Sequence, residues 1–175
     1  MRTGILLLLL LMLSLPAAPA VADGIKTAGD VLQAAVPGFA FTTTALKHDK
    51  KGAVQLLKSY ALSIGATYLL KYSVQEERPN GGNYSFPSGH TSNAFTSAEF
   101  LRVRYGWKWG IPFYAIGAFV AYSRVESDEH FPHDVIVGAA IGIISSHIFT
   151  HPFHGWNMSF NAEHAGFSAG FTHEL

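Results

Sequence analysis

Polar and apolar positions along this chain fall mostly into helical rather than strand patterns. Ile5 to Leu15 is an apolar run interrupted only by Ser14. From Asp23 to Thr44 the sequence is small and mixed, and Pro37-Gly38 breaks it. That predicts one or two short helices followed by a loop. His48-Asp-Lys-Lys-Gly52 reads as a polar turn. Between Ala53 and Tyr72, the positions Leu57, Tyr60, Ala61, Ile64, Tyr68 and Leu69 recur at helical spacing, with Lys58, Ser63, Thr67 and Lys71 mostly on the other side. Arg78-Pro-Asn-Gly-Gly-Asn83 is a loop. A second helix is predicted from near Ser88 to about Arg104 and a third over Ile111 to Ser123, the connection being bracketed by Gly106 and Pro112. A fourth runs from Val135 to Thr150 after a helix-starting Pro132. Beyond Gly155, two sets alternate around Asn161-Ala-Glu-His164: Trp156, Met158 and Phe160, then Phe167, Ala169 and Phe171. That is the pattern of a short β-hairpin.

The first segment has the layout of a secretory signal: Arg2, an apolar stretch, then small residues suited to cleavage after Ala20 or Ala22. The competing reading, a permanent anchor, needs about 20 apolar residues, more than the run supplies. Residues 1–22 are therefore read as a signal peptide and 23–175 as one exported domain, most simply in a bacterial periplasm or cell envelope. The later apolar runs are shorter than a comfortable span and suit buried core helices. Lys58 and Gln55 interrupt the first, and His147 sits in the last. Yet Ile111–Tyr122 and Val135–Ile144 are nearly free of polar side chains. A soluble or peripherally attached bundle is the favoured reading, and a membrane-embedded one stays open beside it.

Composition narrows the chemistry. The chain has 175 residues, 12 Lys+Arg against 12 Asp+Glu, no cysteine and nine histidines. Without cysteine there is no disulfide framework, no thiolate nucleophile and no Cys-based metal site. Zero net charge argues against a nucleic-acid partner, which would call for an excess of basic residues.

Three segments gather phosphate chemistry. They are Lys71-x6-Arg78-Pro79, Pro87-Ser-Gly-His90, and Ser123-Arg124-x5-His130-x3-Asp134. Arg78 and Arg124 each offer a planar fork for two oxygens, and Lys71 a compact charge. Ser88 and Gly89 at a helix start offer backbone N–H groups and the positive end of the helix dipole. With Asp134 in the first turn after Pro132, its carboxylate can hold one nitrogen of His130 and leave the other as a nucleophile. His90 is then free to protonate the departing alkoxide. Cations neutralise the charge a metal would otherwise balance, so the reading calls for no metal and no cofactor.

These blocks, in this order, resemble the type 2 phosphatidic acid phosphatase (PAP2) superfamily, which also includes bacterial non-specific acid phosphatases and vanadium haloperoxidases. The resemblance runs from Lys71 to about Gly142. It rests on 11 specified residues at fixed spacings within three blocks. It implies an all-α fold, a compact helical bundle with the site where the motif loops meet. It implies phosphate binding by Lys71, Arg78, Ser88, Gly89 and Arg124, with His90 as general acid, His130 as nucleophile and Asp134 as its partner. The function read from this is an exported, metal-independent phosphatase that acts through a phosphohistidine on a phosphomonoester or diphosphate, of a small molecule or, preferably, a lipid. The interval Val125-Glu-Ser-Asp-Glu129 places three carboxylates beside the nucleophile. It is either a solvated loop or a device that disfavours highly anionic substrate tails or raises the pKa of nearby histidines.

Remaining features have plainer readings. His133, next to Asp134, is read as a helix-start or rim residue, because spacing from Arg124 selects His130. His147, His151 and His154 could form a metal site, or simply enrich a helix C-terminus in cations; Pro152 argues for the second. Tyr84 and Phe86 are candidates for the substrate mouth. The rival functions are a membrane-embedded undecaprenyl-diphosphate phosphatase, a vanadium-dependent haloperoxidase, and a non-enzymatic histidine-rich metal-binding envelope protein.

Overall fold

A computed structural model describes residues 21–153, 156–163 and 166–173. Residues 1–20 of the proposed signal segment, His154 and His164 lie outside the described residues. Five helices follow in order: α1 Val21–Leu46, α2 Lys50–Val74, α3 Gly89–Tyr105, α4 Trp107–Glu126 and α5 Pro132–Phe149. They are followed by β1 Trp156–Glu163 and β2 Gly166–His173, an antiparallel pair that sets Trp156 opposite His173 and Glu163 opposite Gly166. The all-α class holds. The tail does form a hairpin, but Asn161, Ala162 and Glu163 lie in its first strand rather than in the turn.

α3 is the axis of the bundle and touches α1, α2, α4 and α5. Its N-terminus is capped by Ser88, whose Oγ accepts from Thr91 N. Gly138 and Gly142 let α5 lie directly on α3, since a Cβ at either would come within 2.5 Å of Ser88 O or Ser92 O. The apolar core, Val36, Ala40, Leu56, Ala98, Phe100, Leu101 and Phe113, sits toward the C-terminal half of α3. That leaves the N-terminal end of α3 for polar chemistry.

Two expectations about boundaries are corrected. α1 is one helix of 26 residues that runs through Pro37. Fully buried Val36 and Ala40 flank the proline, and their packing outweighs the hydrogen bond it forgoes. α4 likewise starts at Trp107 and carries Pro112 inside. The carbonyl that Pro112 leaves unpaired belongs to Lys108, an exposed residue where water can serve it.

The larger correction concerns α2. Its inward residues are Gly52, Leu56, Ser59, Ser63 and Thr67. Leu57, Ile64, Tyr68 and Leu69, read as a core stripe, are exposed. The helical period holds, but of the six apolar positions only Tyr60 packs against the core. Hydroxyls knit the inner face to α3: Ser63 and Thr67 each lie 3.1 Å from Ser92 Oγ, and Thr96 donates to Ser63 at 3.0 Å. α5 repeats the arrangement, with Gly138, Gly142, Ser145 and Ser146 inside and Ile136, Ile144 and Ile148 outside, while α4 turns Phe113 and Val120 inward beside Gly117. Small and hydroxylated residues inside and branched aliphatics outside suit helices packed in hydrocarbon. Among the described residues, one helix, Pro132–Phe149, is long and apolar enough to cross a membrane.

Candidate active site

The site forms where the end of α2, the start of α3, the α4–α5 loop and the first turns of α1 meet. Lys71, Arg78, Gly89, His90 and His130 line one cavity of about 460 Å³, together with Gln33, Ile64, Thr67, Tyr68, Ser92 and Asn93. Ser88 and Asp134 lie behind that surface and are fully buried. Arg124 is also buried, and it reaches His90 only through Asp30.

Asp134 is the third residue of α5, and its Oδ2 accepts the Phe131 N–H at 2.9 Å, which caps the helix from within. The same oxygen lies 3.2 Å from His130 Nδ1 and accepts from Ser85 Oγ at 2.5 Å. If His130 donates from Nδ1, Nε2 keeps its lone pair. Burial and the Lys71 and Arg78 charges push the His130 imidazole down to about 4, against the pull of Asp134. The ring is therefore neutral, as a nucleophile must be.

Lys71 Nζ donates to Tyr84 O at 2.7 Å and Ser85 O at 3.3 Å, so it holds the loop that carries Ser85. Arg78 pairs with Glu129 through Nη1. Its buried Nε has no hydrogen-bond partner among the described residues and is a donor suited to an anion. Ser88 acts as a cap. Its N–H donates to Asp134 O at 3.0 Å, so that donor is already used. A Cβ on Gly89 would meet only Thr67 Cγ2, at 3.7 Å. Glycine here relieves no clash within the protein and leaves the backbone bare toward the cavity.

Sequence reasoning missed Lys26, Asp30 and Ser85. Arg124 Nη1 donates to Asp30 Oδ1 at 2.6 Å, and the same oxygen is 3.1 Å from His90 Nε2. Lys26 pairs with Glu129 through its side chain and accepts from Arg124 Nη2 at 2.6 Å through its carbonyl. Of the acidic interval, Glu126 and Asp128 are exposed and only Glu129 turns inward. Burial alone would raise the Glu129 carboxyl, but hydrogen bonds and charge from Lys26 and Arg78 hold it below the usual carboxylate range. The one signal for α1 was the helical spacing of Lys26, Gly29 and Asp30, and it needed a continuous helix to be read.

His133 is exposed, stacked on Phe131 and paired with Glu76 at 3.1 Å. Glu76, His133 and Asp134 offer donor atoms within 4.8 Å of one another, a grouping with the ligand types of a divalent-metal site. His147 pairs instead with Glu99 at 3.0 Å. α5 ends at Phe149, with an extended Thr150 after it, so His151 lies past the helix and shares no helical face with His147. Tyr84 and Phe86 pack against Tyr72 and His133, and the cavity wall comes from Ile64 and Tyr68.

The chain belongs to the PAP2 superfamily, whose model matches residues 80–158. It is 30% identical to the lipid A 4'-phosphatase of Helicobacter pylori J99 over 134 residues, which is 70% of this chain and 67% of that protein. It is 36% identical to the lipid A 1-phosphatase of Porphyromonas gingivalis over 88 residues, 48% of this chain, and spans only 20% of that longer protein. Among solved structures, that of Aquifex aeolicus LpxE superposes with a TM-score of 0.66 at 26% identity, covering 75% of this chain and 87% of that one.

Proposed function

We propose that this chain is a PAP2-type phosphatase, embedded in a membrane of the cell envelope, that removes phosphate from a phosphorylated lipid of the lipid A class. The observation that carries this reading is one cavity with two kinds of wall. Lys71, Arg78, His90 and His130 supply a phosphoryl-handling end, and Ile64 and Tyr68 belong to the outward apolar face of α2. A lipid lying against that face brings its headgroup to the cations without leaving the hydrocarbon. The lipid A phosphatase relatives support the substrate class.

In the proposed mechanism Arg78, Lys71 and the free N–H groups at the start of α3 hold the nonbridging oxygens. His130 Nε2 attacks phosphorus in line, and the ester P–O bond breaks as His90 passes a proton to the departing oxygen. Water, deprotonated by His90, then attacks the phosphohistidine; the P–N bond breaks, and phosphate and free His130 are released. Asp134 keeps the ring oriented and steadies the positive charge that forms on it. Export of the mature domain by the amino-terminal segment belongs to the same proposal.

The test is a panel of lipid A, phosphatidate, phosphatidylglycerophosphate and p-nitrophenyl phosphate offered to the full chain in detergent. Phosphate release should be fastest from lipid A and lost in His130→Ala. Equal turnover of all four would remove the lipid assignment, and unchanged release by His130→Ala would remove the mechanism.

A further inference from the structure

Two carboxylates of this site have no place in the phosphoryl-transfer steps. Asp30 Oδ1 bridges Arg124 Nη1 at 2.6 Å and His90 Nε2 at 3.1 Å. Glu129 bridges Lys26 and Arg78. Each therefore sits on a cation that a phosphate would otherwise claim. Position 29 fixes this arrangement, because any side chain there would overlap Ser123 Oγ and Arg124 Nη2. Glycine lets the Lys26–Asp30 turn of α1 lie directly on Arg124. That turn falls outside residues 80–158, which the family model matches.

Charge decides what such a site accepts. Lys26, Lys71, Arg78 and Arg124 face Asp30, Glu129 and Asp134, so the cations exceed the carboxylates by one. A phosphate monoester brings about two negative charges near neutral pH, and a diphosphate brings about three. We propose that Asp30 and Glu129 are specificity-determining residues that select a phosphate monoester over a diphosphate by keeping Lys26, Arg78 and Arg124 in carboxylate pairs. Asp30 is the exchangeable member. Its side chain is 44% exposed, against 2% for Arg124, so it can yield to one phosphate by turning to solvent. Glu129 is 10% exposed and stays, opposing a second phosphate.

This inference rests on the phosphatase reading, and its test separates the two. The full chain in detergent is offered farnesyl monophosphate and farnesyl diphosphate, which share a tail and differ by one phosphate. The parent should prefer the monophosphate. Asp30→Asn and Glu129→Gln should each raise the diphosphate-to-monophosphate ratio of kcat/KM about tenfold. Asp128→Asn, in the exposed part of the same loop, should keep the parental ratio. An unchanged ratio in both site variants would overturn the proposal, as would equal loss on both substrates, which would mark Asp30 and Glu129 as positioning residues only. If the parent turned over neither substrate and released no phosphate from lipid A either, the phosphatase reading would fail on its own. Selectivity is then read from pyrophosphate and orthophosphate affinities, measured in a His130→Ala background. The same tenfold shift supports the carboxylates, and no shift rejects them.

Discussion

Arg104 and Arg124 are both buried arginines in the last turn of a helix, and both pair with an aspartate, yet they do opposite work. At one end of the bundle, Arg104 donates to Asp49 at 2.6 and 2.7 Å and to the carbonyls of His151 and Pro152. Asp49 also caps α2 through Gly52 N and accepts from Tyr105. Burial alone would raise the Asp49 carboxyl, but Arg104 and these hydrogen bonds hold it below its ordinary range. The side chains are 6% and 2% exposed, so the pair is closed on every side. At the other end Arg124 is as deeply buried, but its partner Asp30 is 44% exposed. A buried ion pair with no route to solvent is structure; one whose anion can leave is a place for another anion.

The largest effect should come from breaking the open end. His130→Ala and Arg124→Ala should each lower kcat/KM by about a thousandfold or more, measured as phosphate release. The fold should persist in both, read by helical circular dichroism. Breaking the closed end should do the reverse. Arg104→Ala leaves Asp49 buried and unpaired and should cost about 3–5 kcal/mol, seen as a lower unfolding midpoint. The kcat/KM of its folded fraction should stay within about twofold of the parent.

Acidity sharpens the contrast by a smaller amount. His130 sits at about 4, below an ordinary histidine. Its nucleophilic neutral form is therefore present above that value and lost as pH falls through it, so kcat/KM should rise with pH through about 4. Lys71→Met removes one of the cations that depress it, and should move this acid limb upward by about one pH unit. The smallest effect should come from the histidines at the closed end. His147→Ala with His151→Ala should change kcat/KM by less than about twofold. A large loss would revive the metal-binding alternative.

The three motif blocks made most of the cavity lining legible, because the resemblance they carry implies a site where they meet, and Lys71, Arg78, His90 and His130 do line one cavity. The helices were legible too, except where Pro37 and Pro112 suggested breaks that packing and water accommodate. What could not be read was the direction in which α2 faces. Periodicity says that a helix has two faces and assumes that water lies outside; Leu57, Ile64 and Leu69 are exposed, which the proposed membrane setting accounts for. Lys26 and Asp30 escaped for a different reason. They belong to no motif, and their contacts with residues about a hundred positions away exist only once α1 is continuous.

A phosphohistidine on His130 can be sought by trapping it. The full chain is mixed with 32P-labelled lipid substrate, quenched in alkali within milliseconds, and assayed for label that is stable to base and released by acid. Such label should appear on the parent chain and be absent from His130→Ala. Label retained in His130→Ala, or a parent that turns over substrate rapidly without ever carrying label, would contradict nucleophilic attack by His130.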